Sequence, residues 1–380
     1  MTGPLKGIRI IEIGGIGPVP FAGMMLADHG AEVIRIERVS PRGVDASNYS
    51  KDVLLRSRRI VPVNIRTAEG IAVVRDLVMT ADGLIEGFRP GVMERLGLGP
   101  DTLMRDKKKL IYGRMTGWGQ TGPLKSAAGH DINYIALSGA LHAFGRFGEK
   151  PTAPLNLVGD FGGGAMMLIF GMLAALLHIR NGGDGQVVDC AMTDGSALLT
   201  ALIWGFRARD RWSGPRGANT LDGGAHFYDT YETADGKWVS IGPLEPKFYS
   251  LFLEKVGLAG DTDFAAQMNS RRWPSLKEKL SAVFFSKTQE EWCALLEGTD
   301  ACFAPVLDFD QADAHPHNVA RGTFVTSGGV RQPAPAPRYS TLETTAPRMA
   351  DGVSAAQDVL SSIGYDIHKI AALKDSGTIE

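Results

Sequence analysis

Along the first half of the chain, short β-branched runs alternate with longer segments whose apolar positions recur every three or four residues. Ile8-Arg9-Ile10-Ile11-Glu12-Ile13 reads as a strand, closed by Gly14-Gly15-Ile16-Gly17-Pro18. A helix is expected from Pro20 to His29, with Gly30 as its stop, and Glu32 to Arg38 reads as a second strand. Strand, helix, strand is a βαβ unit, which predicts a parallel sheet. Further units follow: a helix from Ala68 to Met79, a strand from Gly83 to Glu86, and a strand from Leu110 to Met115. The segment from Phe161 to Ile179 is apolar nearly all round, so a buried helix is expected there. Gln186 to Ala191 adds a strand and Met192 to Arg207 a helix.

The pattern then changes. Between Asp210 and Ala218 the composition turns to Trp, Arg, Gly and Pro, as in an interdomain linker. His226 to Glu232 and Trp238 to Ile241 flank Ala234-Asp235-Gly236-Lys237, and Asp-Gly between two such runs predicts a β-hairpin. Helical stretches continue to about Leu296, and two short helices are expected between Val353 and Leu373. The expected architecture is α/β. A Rossmann-like parallel-sheet large domain covers 1–205, completed by 333–380, and a smaller α+β domain covers 225–325. Linkers are expected at 206–224 and 326–332. With 380 residues the chain exceeds what one core usually supports, which agrees with two domains.

Composition adds limits rather than identity. The chain is 44% hydrophobic and 22% charged, with a net charge of −2. That balance gives no case for nucleic acid or an acidic membrane surface. Cys190, Cys293 and Cys302 show no paired spacing, which suits a reducing compartment. The start, Met1-Thr2-Gly3-Pro4-Leu5-Lys6, has no apolar signal core, and the end, Gly377-Thr378-Ile379-Glu380, lacks the peroxisomal tripeptide. The longest apolar run, Ala165 to Leu177, is broken by Gly171 and short for a bilayer. A cytoplasmic protein is expected.

Charge is locally uneven. Arg35, Arg38, Arg42, Lys51, Arg56, Arg58, Arg59 and Arg66 stand against only Glu37, Asp45 and Asp52, which suggests a seat for an anion such as phosphate. Any single one of these residues reads equally well as a solvated rim. A dinucleotide fingerprint with Glu37 as the ribose acid fails on spacing, because after Gly15 and Gly17 the third glycine position holds Pro20. Arg89 follows Gly87 and Phe88 at the carboxyl end of an expected parallel strand, where open α/β sheets bind ligands. No His, Asp or Glu set has metal-ligand spacing, and His315-Pro316-His317 is only a loop pair.

His130 and Asp160 stand at the edges of two apolar segments beside Gly129 and Gly159. Each can serve as acid or base near neutral pH if its surroundings tune it. Backbone N–H groups at the helix start near Asp160 suit a developing oxyanion. Taken alone, His130 is explained as well by packing and Asp160 by helix capping. Asp131, Asp189 and Asp194 are similar acids in weaker settings.

Four blocks change the weighting: Phe88-Arg89-Pro90-Gly91-Val92-Met93-Glu94-Arg95-Leu96-Gly97, Gly129-His130-Asp131-Ile132-Asn133-Tyr134, Pro154-Leu155-Asn156-Leu157-Val158-Gly159-Asp160-Phe161-Gly162-Gly163-Gly164 and Leu244-Glu245-Pro246. With them the chain resembles, over nearly its whole length, the family III CoA-transferase superfamily, and within it the α-methylacyl-CoA racemases. His130 favours the racemase branch, since the transferases share the aspartate and generally lack that histidine. The resemblance implies His130 and Asp160 as the two catalytic bases and Glu245 as a supporting acid from a partner subunit. It implies that Arg38, Val63, Asn64, Ile65, Arg66, Gly87, Phe88, Arg89, Arg95, Gly129, Asp131, Ile132, Asn133 and Tyr134 hold CoA. It implies an interlocked homodimer, racemisation of 2-methylacyl-CoA by 1,1-proton transfer through an enolate, and no cofactor, CoA being part of the substrate. The alternative is a CoA-transferase in which Asp160 attacks the thioester and carries the acyl group as an anhydride.

Overall fold

The computed structural model describes residues 2–39, 49–350 and 354–380. Contacts divide the chain into two units. The first takes the chain up to Ser138, Leu155–Leu199 and Gly322–Glu380, and the second takes Gly139–Pro154 and Thr200–Arg321. The single helix expected over Met192 to Arg207 is two helices, Met192–Leu199 and Ala201–Arg207, and the boundary between units falls in the break.

The first unit is built on a six-stranded sheet of β1 (Arg9–Ile13), β2 (Glu32–Glu37), β3 (Arg59–Pro62), β4 (Gly83–Glu86), β5 (Ile111–Thr116) and β6 (Val187–Ala191), in the order β3-β2-β1-β4-β5-β6. Every pairing is parallel, with Ile11 beside Ile34 and Leu84 beside Tyr112. Successive residues of a strand point to opposite faces, so each strand feeds two cores. Ile11, Ile13, Ile34 and Ile36 pack with the helix Ala68–Met79 and with Val359, Leu360, Ile370 and Leu373 from the C-terminal helices. Ile8, Ile10 and Val33 pack on the other face with Val19, Leu26, Leu168 and Met172.

Several side chains of the basic cluster are spent inside this unit. Glu12 on β1 is fully buried and takes ion pairs from Arg35 and, at 3.0 Å, from Arg58. Arg56 pairs with the buried Asp28 at 2.5 Å and donates to Gln332 Oε1 at 2.8 Å. Arg59 pairs with Glu32 at 2.8 Å. The anion-seat reading is therefore corrected for Arg56 and Arg58, which serve buried carboxylates, and for Arg59, which is held by Glu32, whereas Arg35, though paired, still borders the larger of the cavities described below. Arg42 lies outside the described residues. Arg38, Lys51 and Arg66 remain exposed.

Two further expectations change. Residues 326–332, expected as a return linker, belong to an antiparallel hairpin of β10 (Phe324–Ser327) and β11 (Val330–Pro333), which Arg56 anchors through Gln332. The expected buried helix begins as a π-helical stretch, Leu157–Ala165, and continues as an α-helix, Met166–Arg180. The whole segment is 24 residues, long and apolar enough by length and composition to cross a membrane, and 44% of its most apolar window is buried in the protein. Its burial is one-sided: Leu168, Ile169 and Met172 are buried, whereas Phe170 is 72% and Leu177 59% exposed.

The second unit carries an antiparallel sheet of β7 (Asp229–Glu232), β8 (Trp238–Ile241) and β9 (Phe303–Val306). The hairpin turn sits at Asp235-Gly236, with Gly236 at φ 73°. Its core is aromatic, with Phe227, Tyr231, Phe252, Phe264, Phe284 and Trp292 buried together. Residues 206–224, expected as a linker, include a loop tied by Asp222, which accepts from the backbone N–H groups of Gly217 and Asn219 at 2.8 Å each.

Candidate active site

The carboxyl ends of β1, β4 and β5 open on one side of the sheet, at the switch point where strand order reverses. The turn after β1 brings Gly17, at φ 70°, to the start of the helix Pro18–Asp28. A Cβ at Gly17 would sit 2.9 Å from Asp160 Oδ2, so glycine lets the backbone lie against that carboxylate. Asp160 itself is in the π-helical stretch. This packs backbone to backbone on the helix Met192–Leu199: a Cβ at Gly195 would stand 1.8 Å from Gly163 O, and one at Gly163 would stand 2.6 Å from Ser196 N. π-Helical turns are common at functional sites.

Asp160 is held at three points. Its N–H donates to Asp131 Oδ2 at 2.7 Å, its Oδ2 accepts from Asn156 Nδ2 at 3.1 Å, and the neighbouring Phe161 ring stacks on Phe21 at 4.5 Å. Burial raises the Asp160 pKa above the usual carboxylate range. The Asp131 charge adds to the rise, while the Asn156 hydrogen bond and His130 oppose it. A base with a raised pKa holds and releases a proton nearer neutrality. The Asp160 N–H, one of the donors expected to meet an oxyanion, is already committed to Asp131.

His130 precedes the helix Asp131–Leu137, and its ring is exposed. Its N–H donates to Asn133 Oδ1 at 3.0 Å and its carbonyl accepts from Asn133 N–H at 2.8 Å, which fixes the backbone at that point. Tyr134 seals the floor, its hydroxyl donating to Gly129 O and its ring meeting Trp118 edge-on at 4.8 Å. A Cβ at Gly117 would lie 2.0 Å from the Tyr134 ring, so glycine is needed for this seat. Burial, with Asp160 adding, raises the Tyr134 pKa and keeps the phenol protonated.

His130, Tyr134 and Asp160 line a cavity of 580 Å³ together with Gly87, Phe88, Arg89 and Gly129. A second cavity, 1120 Å³, is lined by Arg38, Val63, Asn64, Ile65 and Arg66. Ile16 and Phe88 border both. The structure thus brings most of the residues expected from sequence to the two cavities and leaves the rest outside them. Asp131 lies beneath the cavity, 6% exposed, with its carboxylate turned to the Asp160 backbone rather than to open space. Arg95, Ile132 and Asn133 are exposed but line neither cavity. Glu245 belongs to the second unit, exposed at the start of the helix Pro246–Lys255, so the first unit builds the His130–Asp160 pair without it. Gly17, Trp118, Lys125 and Asn156 also line the smaller cavity and were not singled out from sequence. Asn156 had the clearest signal, standing four residues before Asp160. Lys125 is a lone cation in a Gly, Thr and Pro loop.

The profile of CoA-transferase family III matches residues 5–351. The chain is 44% identical over 98% of its length to the alpha-methylacyl-CoA racemase of Mus musculus, covering 93% of that protein. It is 42% identical over 99% of its length to the Homo sapiens alpha-methylacyl-CoA racemase, covering 97% of that protein. Among solved structures, a hypothetical protein of Mycobacterium tuberculosis superposes with a TM-score of 0.78 at 29% identity, over 94% of this chain and 99% of that one. A profile match over most of the chain, relatives similar over nearly their full lengths and a shared fold all point the same way: the chain belongs to CoA-transferase family III.

Proposed function

We propose that this protein interconverts the (R) and (S) forms of 2-methylacyl-CoA thioesters, as an isomerase of the α-methylacyl-CoA racemase type. The observation that carries the proposal is that His130 and Asp160 line one cavity at the carboxyl ends of the sheet, beside a larger cavity bordered by Arg38 and Arg66. In this reading the larger cavity takes the phosphate-bearing part of CoA, and the smaller one takes the thioester and α-carbon. One base removes the α-proton to give an enolate, and the conjugate acid of the other returns a proton to the opposite face, so no net proton is gained or lost. Arg89 and Lys125 supply positive charge in the same cavity. No cofactor enters this scheme, because CoA arrives with the substrate.

We further propose a homodimer. The apolar side chains of Leu137, Phe170 and Leu177 are exposed on the first unit, and a second copy of the chain is the occupant that also accounts for Glu245 as a partner's supporting acid. Size-exclusion chromatography with light scattering tests this, and a monomer at micromolar concentration would overturn it. A cytoplasmic location fits three free cysteines.

The decisive assay uses an (S)-2-methylacyl-CoA in D2O with no acceptor acid. Racemisation with α-deuterium uptake is expected, and an unchanged, unlabelled thioester would sink the proposal. His130→Ala should reduce exchange by roughly a hundredfold or more, as for loss of a general acid–base group. A transferase working through an Asp160 anhydride would survive that substitution and would need the acceptor acid.

A further inference from the structure

The loop that borders both cavities, Gly87 to Gly91, is tied down from behind. It carries Phe88, which lines both cavities, and Arg89, which lines the smaller one. Glu86, the last residue of β4, is fully buried. Its Oε2 accepts from Phe88 N–H at 2.7 Å and its Oε1 accepts from Arg114 Nε at 3.2 Å. Arg114 is its cross-strand neighbour on β5 and is itself 6% exposed. Beyond the loop, on the helix Val92–Arg95, Glu94 receives Arg114 Nη1 at 2.7 Å and Nη2 at 3.3 Å. One guanidinium therefore holds a carboxylate from each end of the loop. Neither Glu86 nor Arg114 lines either of these two cavities.

A buried ion pair is a costly way to stabilise a sheet, since apolar residues of similar volume often do as well. What this pair does that apolar residues cannot is hold the Phe88 N–H and span the loop. We propose that Glu86 and Arg114 are positioning residues that keep the Phe88–Arg89 loop in the shape that binds the CoA thioester. This rests on the reading that the two cavities hold that thioester.

The clamp also responds to pH. The groups facing Glu86 are Arg114 and Tyr112 from β5 and Glu94 from the following helix. Burial pushes Glu86 up to about 7, with Glu94 adding to the rise and the Phe88 N–H and Arg114 opposing it. Below that pH Glu86 is neutral, Arg114 is left with Glu94 alone, and the Phe88 N–H loses a charged acceptor. Binding should therefore tighten as pH rises through about 7.

The test is Glu86→Gln, which keeps the shape and an acceptor but removes the charge. KM and kcat for α-deuterium exchange are measured from pH 6 to 8.5, with CoA affinity followed in parallel by calorimetry. In the unaltered protein KM should fall several-fold across that range. In Glu86→Gln it should stay about three- to tenfold higher at the alkaline end and lose the inflection, with kcat changing less than KM. A KM that matches the unaltered protein at every pH overturns the proposal. If Glu86→Gln does not fold, Glu94→Gln loosens the clamp from its half-exposed end, and an unchanged KM there overturns it equally. Failure of the unaltered protein to exchange the α-proton would sink the racemase reading instead, while calorimetry with CoA still tests the clamp.

Discussion

Gly17→Ala isolates the contact on which the Asp160 carboxylate depends. Two effects operate, and a control separates them. At φ 70° and ψ −119°, outside the left-handed helical region, a Cβ is strained, which costs on the order of 1–3 kcal/mol of stability. The new Cβ would also fall 2.9 Å from Asp160 Oδ2. Ordinary C···O contacts begin at about 3.3 Å, so the carboxylate must retreat by roughly 0.4 Å. That movement disturbs the oxygen that receives Asn156 Nδ2 at 3.1 Å. Since a misplacement of about 1 Å can cost ~100-fold in rate, kcat should drop several-fold. Gly97→Ala is the control for positive φ: Gly97 has φ 69° and nothing within 4 Å of its Cβ, so a side chain there meets backbone strain without a collision. Thermal melts should show both variants folded at the assay temperature, with Gly17→Ala the less stable, and α-deuterium exchange by the folded protein should separate them. If Gly17→Ala exchanged as fast as Gly97→Ala, the carboxylate would not be working where the structure places it.

Three further outcomes are expected. Asp131→Asn keeps an acceptor for the Asp160 N–H but removes a charge that holds the Asp160 pKa up, so that pKa falls. A base must be deprotonated to act, so the acid limb of the kcat/KM profile should move to lower pH, and an unmoved limb would show that Asp131 does not tune it. Arg38→Ala and Arg66→Ala should each raise KM for acyl-CoA by about tenfold through a lost charge-assisted contact, with kcat little affected. Equal KM values would remove phosphate binding from the larger cavity. Arg56→Ala strands the buried Asp28 and should cost about 3–5 kcal/mol in urea unfolding, and a loss under ~1 kcal/mol would mean the pair is not buried in solution.

Most of the elements follow from local patterning alone, and so does the choice of the two candidate bases. Strand Gly83–Glu86 and helix Ala68–Met79 were legible because a fully buried strand and an amphipathic helix write their period directly into the chain. His130 and Asp160 were singled out by their glycine-flanked blocks, and both line one cavity. Tertiary structure decided the rest, for a common reason: which partner a side chain meets is not encoded in its local spacing. Arg56 and Arg58 read as part of an anion seat until the fold sets Asp28 and Glu12 beside them in the interior. Asp131 read as a ligand contact until the π-helical stretch placed the Asp160 N–H against its carboxylate. The helix beginning at Met166 read as buried all round because a sequence shows how much apolar surface an element has, and only the fold shows how much of it one chain can cover.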